Sequence, residues 1–351
     1  MRAGLRVGDT WRTLGRAPTI SVVPEKAKVA PNTVEKILLA APRGYCAGVD
    51  RAVQTVERAL ELHGRPVYVR KEIVHNKHVV AQLRARGAVF VDQETEVPQG
   101  AVTVFSAHGV APSVRANAQA RHLQTIDATC PLVTKVHVEA RRFAEQGYTV
   151  VLVGHEGHEE VEGTMGEAPG RIVLVQDERD VDALEVENPE RVAYITQTTL
   201  SVHETAAIVE RLRERFPKIA GPRTEDICYA TTNRQAAVKQ MAGQCELMLV
   251  IGSRNSSNSV RLVEVARDCG TEAHLVDHSR EVREEWLAGR HVVGVTSGAS
   301  APDELVVELL DFFRARGVPE EGISEVHATR EDVRFMLPKP IREAVAAAGA
   351  S

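Results

Sequence analysis

No apolar run in this sequence approaches the roughly 18–20 residues of a membrane span, so a helical membrane protein is excluded. No two cysteines stand close enough to form the paired C-x-x-C ligands of an ordinary zinc site. No glycine-rich loop carries the lysine of a Walker motif. Positive charge is not in excess: the formal net charge is −5, which speaks against a general nucleic-acid binder. The cysteines are five in number, Cys46, Cys130, Cys228, Cys245 and Cys269, an odd count in a chain without a secretory signal. That points to a reducing compartment and to thiols kept for metal or chemistry rather than for disulfides.

Acids are scarce in residues 1–34, which set Asp9 and Glu25 against Arg2, Arg6, Arg12, Arg16, Lys26 and Lys28, with Pro18, Pro24 and Pro31 breaking any long helix. This stretch reads as a disordered N-terminal extension or an upstream start. A transit peptide is the sharper alternative, but serine is scarce too. It is set aside from the fold. The whole chain of 351 residues, 43% hydrophobic and 26% charged, is globular and long enough for two or three domains.

What is present centres on Arg43-Gly-Tyr-Cys-Ala-Gly-Val-Asp-Arg51. An apolar run, Lys36 to Pro42, reads as a buried strand before it. Asp50 to His63 reads as a helix after it, with Val53, Val56, Ala59, Leu60 and Leu62 near one face. Cys46 therefore falls between a strand end and a helix start, where free N–H groups and the positive end of the helix dipole are expected to lower a thiol pKa.

Apolar β-rich runs then alternate with amphipathic helices. The strand candidates are Ile37–Ala41, Pro66–Val69, Val89–Val91, Val102–Ser106, Thr125–Ala128, Thr149–Val153, Ile172–Val175, Val192–Thr196, Leu247–Ile251, Glu272–Val276 and Val292–Thr296. This is the pattern of parallel α/β sheets, whose ligands gather beyond the carboxyl ends of strands.

Those strand ends repeat. Cys46 is followed by His75 and then His108. Cys130 is followed by His158 and then Thr198. Cys228 is followed by Ser256 and then Ser300. The steps from each cysteine to the next polar loop (His75, His158, Ser256) are 29, 28 and 28 residues. The fold expected is three similar small α/β domains around a pseudo-threefold axis, with the three cysteines aimed at the centre. The modules run over residues 35–130, 131–226 and 227–317, with a C-terminal segment over 318–351.

Three lone thiolates from three modules suit a metal centre with one open coordination position. A [4Fe–4S] cluster normally takes four cysteines, so with three its fourth iron is free. A catalytic zinc is the competing reading. Taken singly, a cysteine is a small buried hydrophobe, and that reading is kept for Cys245 and Cys269, which lie in helical patterns. The loops around the others supply His75, His108, His158, Thr198, Ser256, Ser257, Asn258 and Ser300, mostly just before helices, where N–H groups favour anions such as phosphate. Micromolar binding takes about 8 kcal/mol. Charge-assisted hydrogen bonds contribute roughly 1.5–3 kcal/mol each and helix ends roughly 0.3–1, so four or five such contacts suffice for a diphosphate. Any one of these histidines could be structural, and Ser256–Ser259 could be plain helix capping; their recurrence on corresponding loops favours the site. Glu160 follows His158 by two positions. Next to an anion in a water-poor pocket its pKa should rise and it could deliver a proton; by position alone it equally reads as a surface acid like Glu156, Glu159 or Glu162.

Seven motifs then resemble a known family. They are Pro42-Arg-Gly-Tyr-Cys-Ala-Gly-Val-Asp-Arg51, Asp127-Ala-Thr-Cys-Pro-Leu-Val-Thr-Lys-Val-His137, Gly157-His-Glu-Glu-Val-Glu-Gly-Thr-Met-Gly166, Thr196-Gln-Thr-Thr-Leu-Ser201, Asp226-Ile-Cys-Tyr-Ala-Thr-Thr-Asn-Arg-Gln235, Gly252-Ser-Arg-Asn-Ser-Ser-Asn-Ser259 and Thr296-Ser-Gly-Ala-Ser-Ala-Pro302. In order, from about Ile37 to Pro338, they resemble the 4-hydroxy-3-methylbut-2-enyl diphosphate reductase (LytB/IspH) family, in its bacterial form. The resemblance implies a three-lobed α/β trefoil and the last step of the non-mevalonate isoprenoid pathway, yielding isopentenyl and dimethylallyl diphosphates. It implies a [4Fe–4S] cluster held by Cys46, Cys130 and Cys228 with an open fourth iron. It further implies a diphosphate site at His75, His108, His158, Ser256, Ser257, Asn258 and Ser300, and Glu160 as proton donor helped by Thr198. Ferredoxin or flavodoxin is the implied electron donor, for a cytoplasmic monomer or weak homodimer. Val318–Pro338 is expected to close over the pocket. Glu159 departs from relatives that carry proline there, and an extra acid is a possible source of a pKa shift at Glu160. Rival readings are a three-cysteine cluster dehydratase such as quinolinate synthase, a zinc hydrolase, and a non-catalytic iron–sulfur sensor.

Overall fold

The computed structural model describes residues 33–348. The expectation for the N-terminal extension lies outside them except at its end. There Thr33 donates its hydroxyl to Leu287 O (3.2 Å) and Arg290 O (2.8 Å), and Val34 is buried, so both belong to the fold.

Twelve strands lie in three sheets among the described residues. They are β1 (Lys36–Ala41), β2 (Val67–Arg70), β3 (Ala88–Val91), β4 (Val102–Phe105), β5 (Gln124–Asp127), β6 (Thr149–Val153), β7 (Ile172–Val175), β8 (Val192–Thr196), β9 (Leu247–Ile251), β10 (Glu272–Val276), β11 (Val292–Ser297) and β12 (Ile323–His327). The helices between them are α1 (Ala47–His63), α2 (Lys77–Arg86), α3 (Pro112–Ala120), α4 (Pro131–Glu145), α5 (Glu159–Met165), α6 (Glu178–Ala183), α7 (Val202–Arg215), α8 (Tyr229–Ala242), α9 (Ser257–Asp268), α10 (Glu284–Leu287), α11 (Asp303–Arg314) and α12 (Lys339–Ala348).

All pairings are parallel. The sheet orders are β3-β2-β4-β5, β7-β6-β8 and β10-β9-β11-β1-β12. Each sheet thus contains the same triplet, with the second strand outside, the first in the middle and the third beyond it. The internal repeat read from spacing is visible here as topology.

Parallel strands covered on both faces need apolar residues on both. Strand β9 shows this: Leu247, Leu249 and Ile251 pack against Leu305, Leu309 and Phe313 of α11, while Met248 and Val250 face Ala237, Val238 and Met241 of α8 and Leu262 of α9. Burying each such side chain is worth roughly 1.5–3 kcal/mol.

The sheets are not consecutive in sequence, as modules cut at 130 and 226 would require. Strand β1 pairs with β11 and β12, so it closes the third sheet rather than opening the first. It is buried on both faces there: Ile37 and Leu39 enter one core, Leu38 and Ala40 the other. The same step occurs in the other sheets. Strand β5 lies beside β4 and leads to Cys130; a bridge at Ala220 lies beside β8 and precedes Cys228. Each cysteine therefore ends one sheet and starts the helix that packs on the next. Helix α1 packs on the first sheet, α4 on the second and α8 on the third.

The C-terminal segment contains a strand, β12, with no counterpart among the sequence candidates. None of the described residues after Ser300 lines the cavity described below, so Val318–Pro338, expected to close over it, contributes no residue to its wall. These residues are used elsewhere: β12 edges the third sheet, Glu331 bonds Asn233 and Arg234, and Met336 O accepts from Arg51. No helix among the described residues is long and apolar enough to cross a membrane.

Candidate functional site

Three hydrogen bonds of one kind hold the cysteines. The N–H of Cys130 donates to Ala107 O (2.9 Å), that of Cys228 to Thr198 O (3.0 Å) and that of Cys46 to Ala299 O (3.1 Å). Each acceptor lies two residues past the end of its sheet's third strand. The loops that carry the cysteines are thereby tied to the loops that carry His108, Thr198 and Ser300. All three cysteines are N-caps of their helices, and the sulfurs of Cys46 and Cys228 accept from Val49 N (3.5 Å) and Thr231 N (3.4 Å).

The three cysteines line one cavity of about 100 Å³. Every candidate site residue lines it as well: His75, His108, His158, Glu160, Thr198, Ser256, Ser257, Asn258 and Ser300. Gly48 opens the space between sulfurs: a Cβ there would sit 2.7 Å from Cys130 Sγ and 3.8 Å from Cys46 Sγ.

The expected lowering of the thiol pKa is reversed at Cys130 and Cys228. Burial pushes Cys130 up to about 12 and Cys228 up to about 11, and the neighbouring sulfurs add to the rise. The N–H groups of the first helical turn act in the lowering direction but are outweighed. Cys245 and Cys269 stand apart. Cys245 lies between α8 and β9, half-buried, with its thiol on Met241 O (3.5 Å). Cys269 is an exposed C-cap, which corrects its reading as a buried hydrophobe, because the chain leaves α9 there on the solvent side.

Glu160 is 2% exposed. Thr198 N donates to its Oε1 (2.7 Å) and Thr198 Oγ1 to its Oε2 (2.9 Å). Burial raises its pKa to about 7 against the lowering effect of these two bonds. Its neighbour Glu159 turns away to His108, 3.1 Å from Nδ1. The groups that act most on Glu160 after burial are Thr198, His137 and Asp226, so the extra acid is spent on His108 instead.

His75 and His108 stack with centroids 3.9 Å apart, and His158 stands edge-on to both at 5.3 and 5.9 Å. His158 Nδ1 accepts from the N–H of Glu160 (3.1 Å) as the cap of α5. Burial, then the two other imidazoles, lower its pKa to about 2. An accepting Nδ1 on a neutral ring puts the proton on Nε2, leaving that N–H to be donated. On the third sheet, Ser256 caps α9, Ser300 Oγ donates to His75 O (2.9 Å), and Ser257 Oγ donates to Thr199 O (3.3 Å).

The family model described as LytB protein matches residues 37–314. The chain belongs to the LytB protein family. A curated relative from Nocardia farcinica named 4-hydroxy-3-methylbut-2-enyl diphosphate reductase is 59% identical over 317 residues, covering 90% of this chain and 94% of that one. One of the same name from Acidothermus cellulolyticus is 58% identical over 320 residues, covering 91% and 94%. Among solved structures, the E-1-hydroxy-2-methyl-but-2-enyl-4-diphosphate reductase from Plasmodium falciparum superposes with a TM-score of 0.85 at 36% identity, covering 91% of this chain and all (100%) of that one. A second, titled as the terminal enzyme of the non-mevalonate pathway, gives 0.58 at 31%, covering 80% and 99%.

LytB membership implies an iron–sulfur cofactor, and the donor set fits one. Three free thiols converge, and at Cys130 and Cys228 burial and neighbouring sulfurs disfavour bare thiolates, so a cationic iron centre is the partner that would make them stable. Several residues that build the site had not been singled out from sequence. Glu72 and Asn255 bond each other (2.7 Å) beside His75 and Ser256, and Thr231 Oγ1 lies 3.2 Å from Cys228 Sγ. Asn255 and Thr231 lie inside quoted motifs without having been picked out there, and Glu72 has only its three-residue spacing to His75 as a local signal.

Proposed function

We propose that this chain reduces (E)-4-hydroxy-3-methylbut-2-enyl diphosphate to isopentenyl diphosphate and dimethylallyl diphosphate, the last step of the non-mevalonate isoprenoid pathway. The observation that carries this is a single cavity in a LytB-family chain that three cysteines, a buried glutamate and a set of anion-suited side chains all line. In this reading Cys46, Cys130 and Cys228 would hold one [4Fe–4S] cluster, with the fourth iron left without a protein ligand. The three sheets form the lobes of a pseudo-threefold trefoil about that centre. When bound, the cluster supplies two electrons, one at a time, and a Lewis-acidic iron.

The chain's residues do the rest. His75, His108, His158, Ser256, Ser257, Asn258 and Ser300 take the diphosphate, which fixes the allylic end near Glu160. The reaction breaks one C–O bond and consumes two electrons and two protons, one proton to the leaving oxygen and one to carbon, with loss of water. Glu160 delivers the proton to the departing oxygen. At about 7 its pKa keeps it protonated in a useful fraction near neutral pH. Thr198 holds its carboxyl group in one orientation through both oxygens. The apolar wall of Val49, Val74, Leu132 and Val133 excludes water. Electrons come from ferredoxin or flavodoxin, for a cytoplasmic monomer or weak homodimer without nucleic-acid or membrane partners.

Anaerobic purification tests this directly. A brown protein whose Mössbauer spectrum shows one distinct iron that responds to substrate, and which consumes the hydroxylated diphosphate with a reduced dye, is the expected result. A colourless zinc protein, or a brown one inert toward that substrate, would end the proposal.

A further inference from the structure

Two of the cavity's histidines are each backed by a carboxylate. Glu72 Oε2 lies 3.2 Å from His75 Nδ1, and Glu159 Oε2 lies 3.1 Å from His108 Nδ1. The two imidazoles stack at 3.9 Å with their planes 20° apart. A ring whose Nδ1 is held by a carboxylate has its tautomer and orientation set, and its Nε2 becomes the more basic nitrogen. Two stacked cationic rings repel each other, and at His75 burial and His108 outweigh Glu72 and Glu159 and lower its pKa, so Nε2 takes up its proton together with the anion to which it donates. The charged and titratable groups that face the pair are Glu72, Glu159, Lys71 and His158.

We propose that Glu72 and Glu159 are positioning residues that hold Nδ1 of His75 and His108, so that Nε2 of each is the nitrogen presented to a diphosphate. This rests on the reading of the cavity as a diphosphate site. The two carboxylates also set where the anion sits relative to the rest of the machinery. Glu72 accepts from Asn255 Nδ2 (2.7 Å), the residue before Ser256, so it ties His75 to the serine loop of the third sheet. Glu159 precedes Glu160 on α5, so it ties His108 to the helix that carries the proton donor. The anion and the acid are thereby held in register by one pair of acids.

The test uses the holoenzyme with inorganic pyrophosphate as calorimetric probe, alongside steady-state kinetics with substrate and reduced dye. Glu159→Ala is expected to weaken pyrophosphate binding and raise KM about tenfold, about 1.4 kcal/mol, with kcat changed less than about threefold. Glu159→Gln, whose amide oxygen still accepts from Nδ1, should recover most of that loss, and Glu72→Gln should behave alike. Cluster absorbance and Tm should match the parent protein. The proposal is overturned if Glu159→Ala binds pyrophosphate like the parent, or if its affinity falls only together with Tm and Gln rescues nothing. A parent protein that turns over substrate but never binds pyrophosphate removes the diphosphate reading of the cavity as well.

Discussion

Thr198 grips both oxygens of the Glu160 carboxyl group, its N–H on Oε1 at 2.7 Å and its hydroxyl on Oε2 at 2.9 Å. Both bonds favour the ionised form, while burial favours the neutral one, and the balance stands at about 7. The acid form is the one that can give a proton, so kcat should fall as pH rises through about 7. Removing the threonine hydroxyl in Thr198→Val takes away a lowering influence, so the fall should move to higher pH. A hydrogen bond to a charged group is worth about 1.5–3 kcal/mol, which corresponds to a move of roughly one to two pH units. Glu160→Gln should keep iron and substrate affinity and lose about 100-fold or more in kcat. A pH profile measured for both variants decides; an unchanged rate in Glu160→Gln removes Glu160 from the chemistry.

Asn258 joins two of the cysteines through a continuous chain of hydrogen bonds. Cys46 N donates to Ala299 O, Ala299 N donates to Asn258 Oδ1 (2.9 Å), Asn258 Nδ2 donates to Thr231 Oγ1 (3.2 Å), and Thr231 Oγ1 meets Cys228 Sγ. Asn258→Ala strands the buried N–H of Ala299, at a cost of about 1–3 kcal/mol. It should lower Tm and hasten loss of the visible chromophore in air. Asn258→Asp can still accept from Ala299 but brings a carboxylate into a buried position, so it should recover only part of the Tm lost in the alanine variant, while its negative charge should weaken pyrophosphate binding. Equal stability of the alanine variant would show that the chain of bonds holds nothing together.

Much of the fold was legible because local pattern suffices for a buried strand. Thr149–Val153 and Leu247–Ile251 occur as read. What local pattern does not carry is the partner. Nothing in Lys36–Ala41 says that its neighbours are Val292–Ser297 and Ile323–His327, hundreds of residues away. Strand β12 escaped notice because Ile323-Ser-Glu-Val-His327 is a half-exposed edge with few apolar residues. At the site, the residue types at strand ends marked the cavity lining. The division of work between Glu159 and Glu160 was not legible, since adjacent carboxylates on one short helix point to different partners. The direction of the cysteine pKa shift was missed for the same reason: helix position is local, and burial is not.

Gly48 offers a case in which stability and cofactor binding should separate. It sits in the first turn of α1, where alanine is ordinarily better than glycine by about 1 kcal/mol. Its missing side chain leaves room beside Cys130 Sγ, which an added Cβ would approach to 2.7 Å. Gly48→Ala should therefore keep the metal-free protein near parent stability only by turning Cys130 Sγ aside from its ligand position, while iron per chain and visible absorbance drop. Thermal unfolding of the metal-free form and an iron assay make the comparison. Full iron loading in the alanine variant would mean that the space at Gly48 is not needed.

Arg234 is fully buried, yet its guanidinium serves three segments at once. Nη2 donates to Gly44 O (2.8 Å) in the Cys46 loop, and Nη1 donates to Ala230 O (3.0 Å) just past Cys228 and to Glu331 Oε1 (3.0 Å) in the C-terminal segment. Removing one member of a buried ion pair leaves an uncompensated charge and costs about 3–5 kcal/mol, whereas apolar replacement of both members is often close to neutral. Arg234→Met should therefore be strongly destabilised in urea, and adding Glu331→Leu should recover much of the loss. Lys cannot supply the forked donors, so Arg234→Lys should fall nearer to Met than to the parent. If Arg234→Met unfolds at the same urea concentration as the parent, the C-terminal segment is not anchored through this arginine, and the Cys46 and Cys228 loops are held by their other bonds alone.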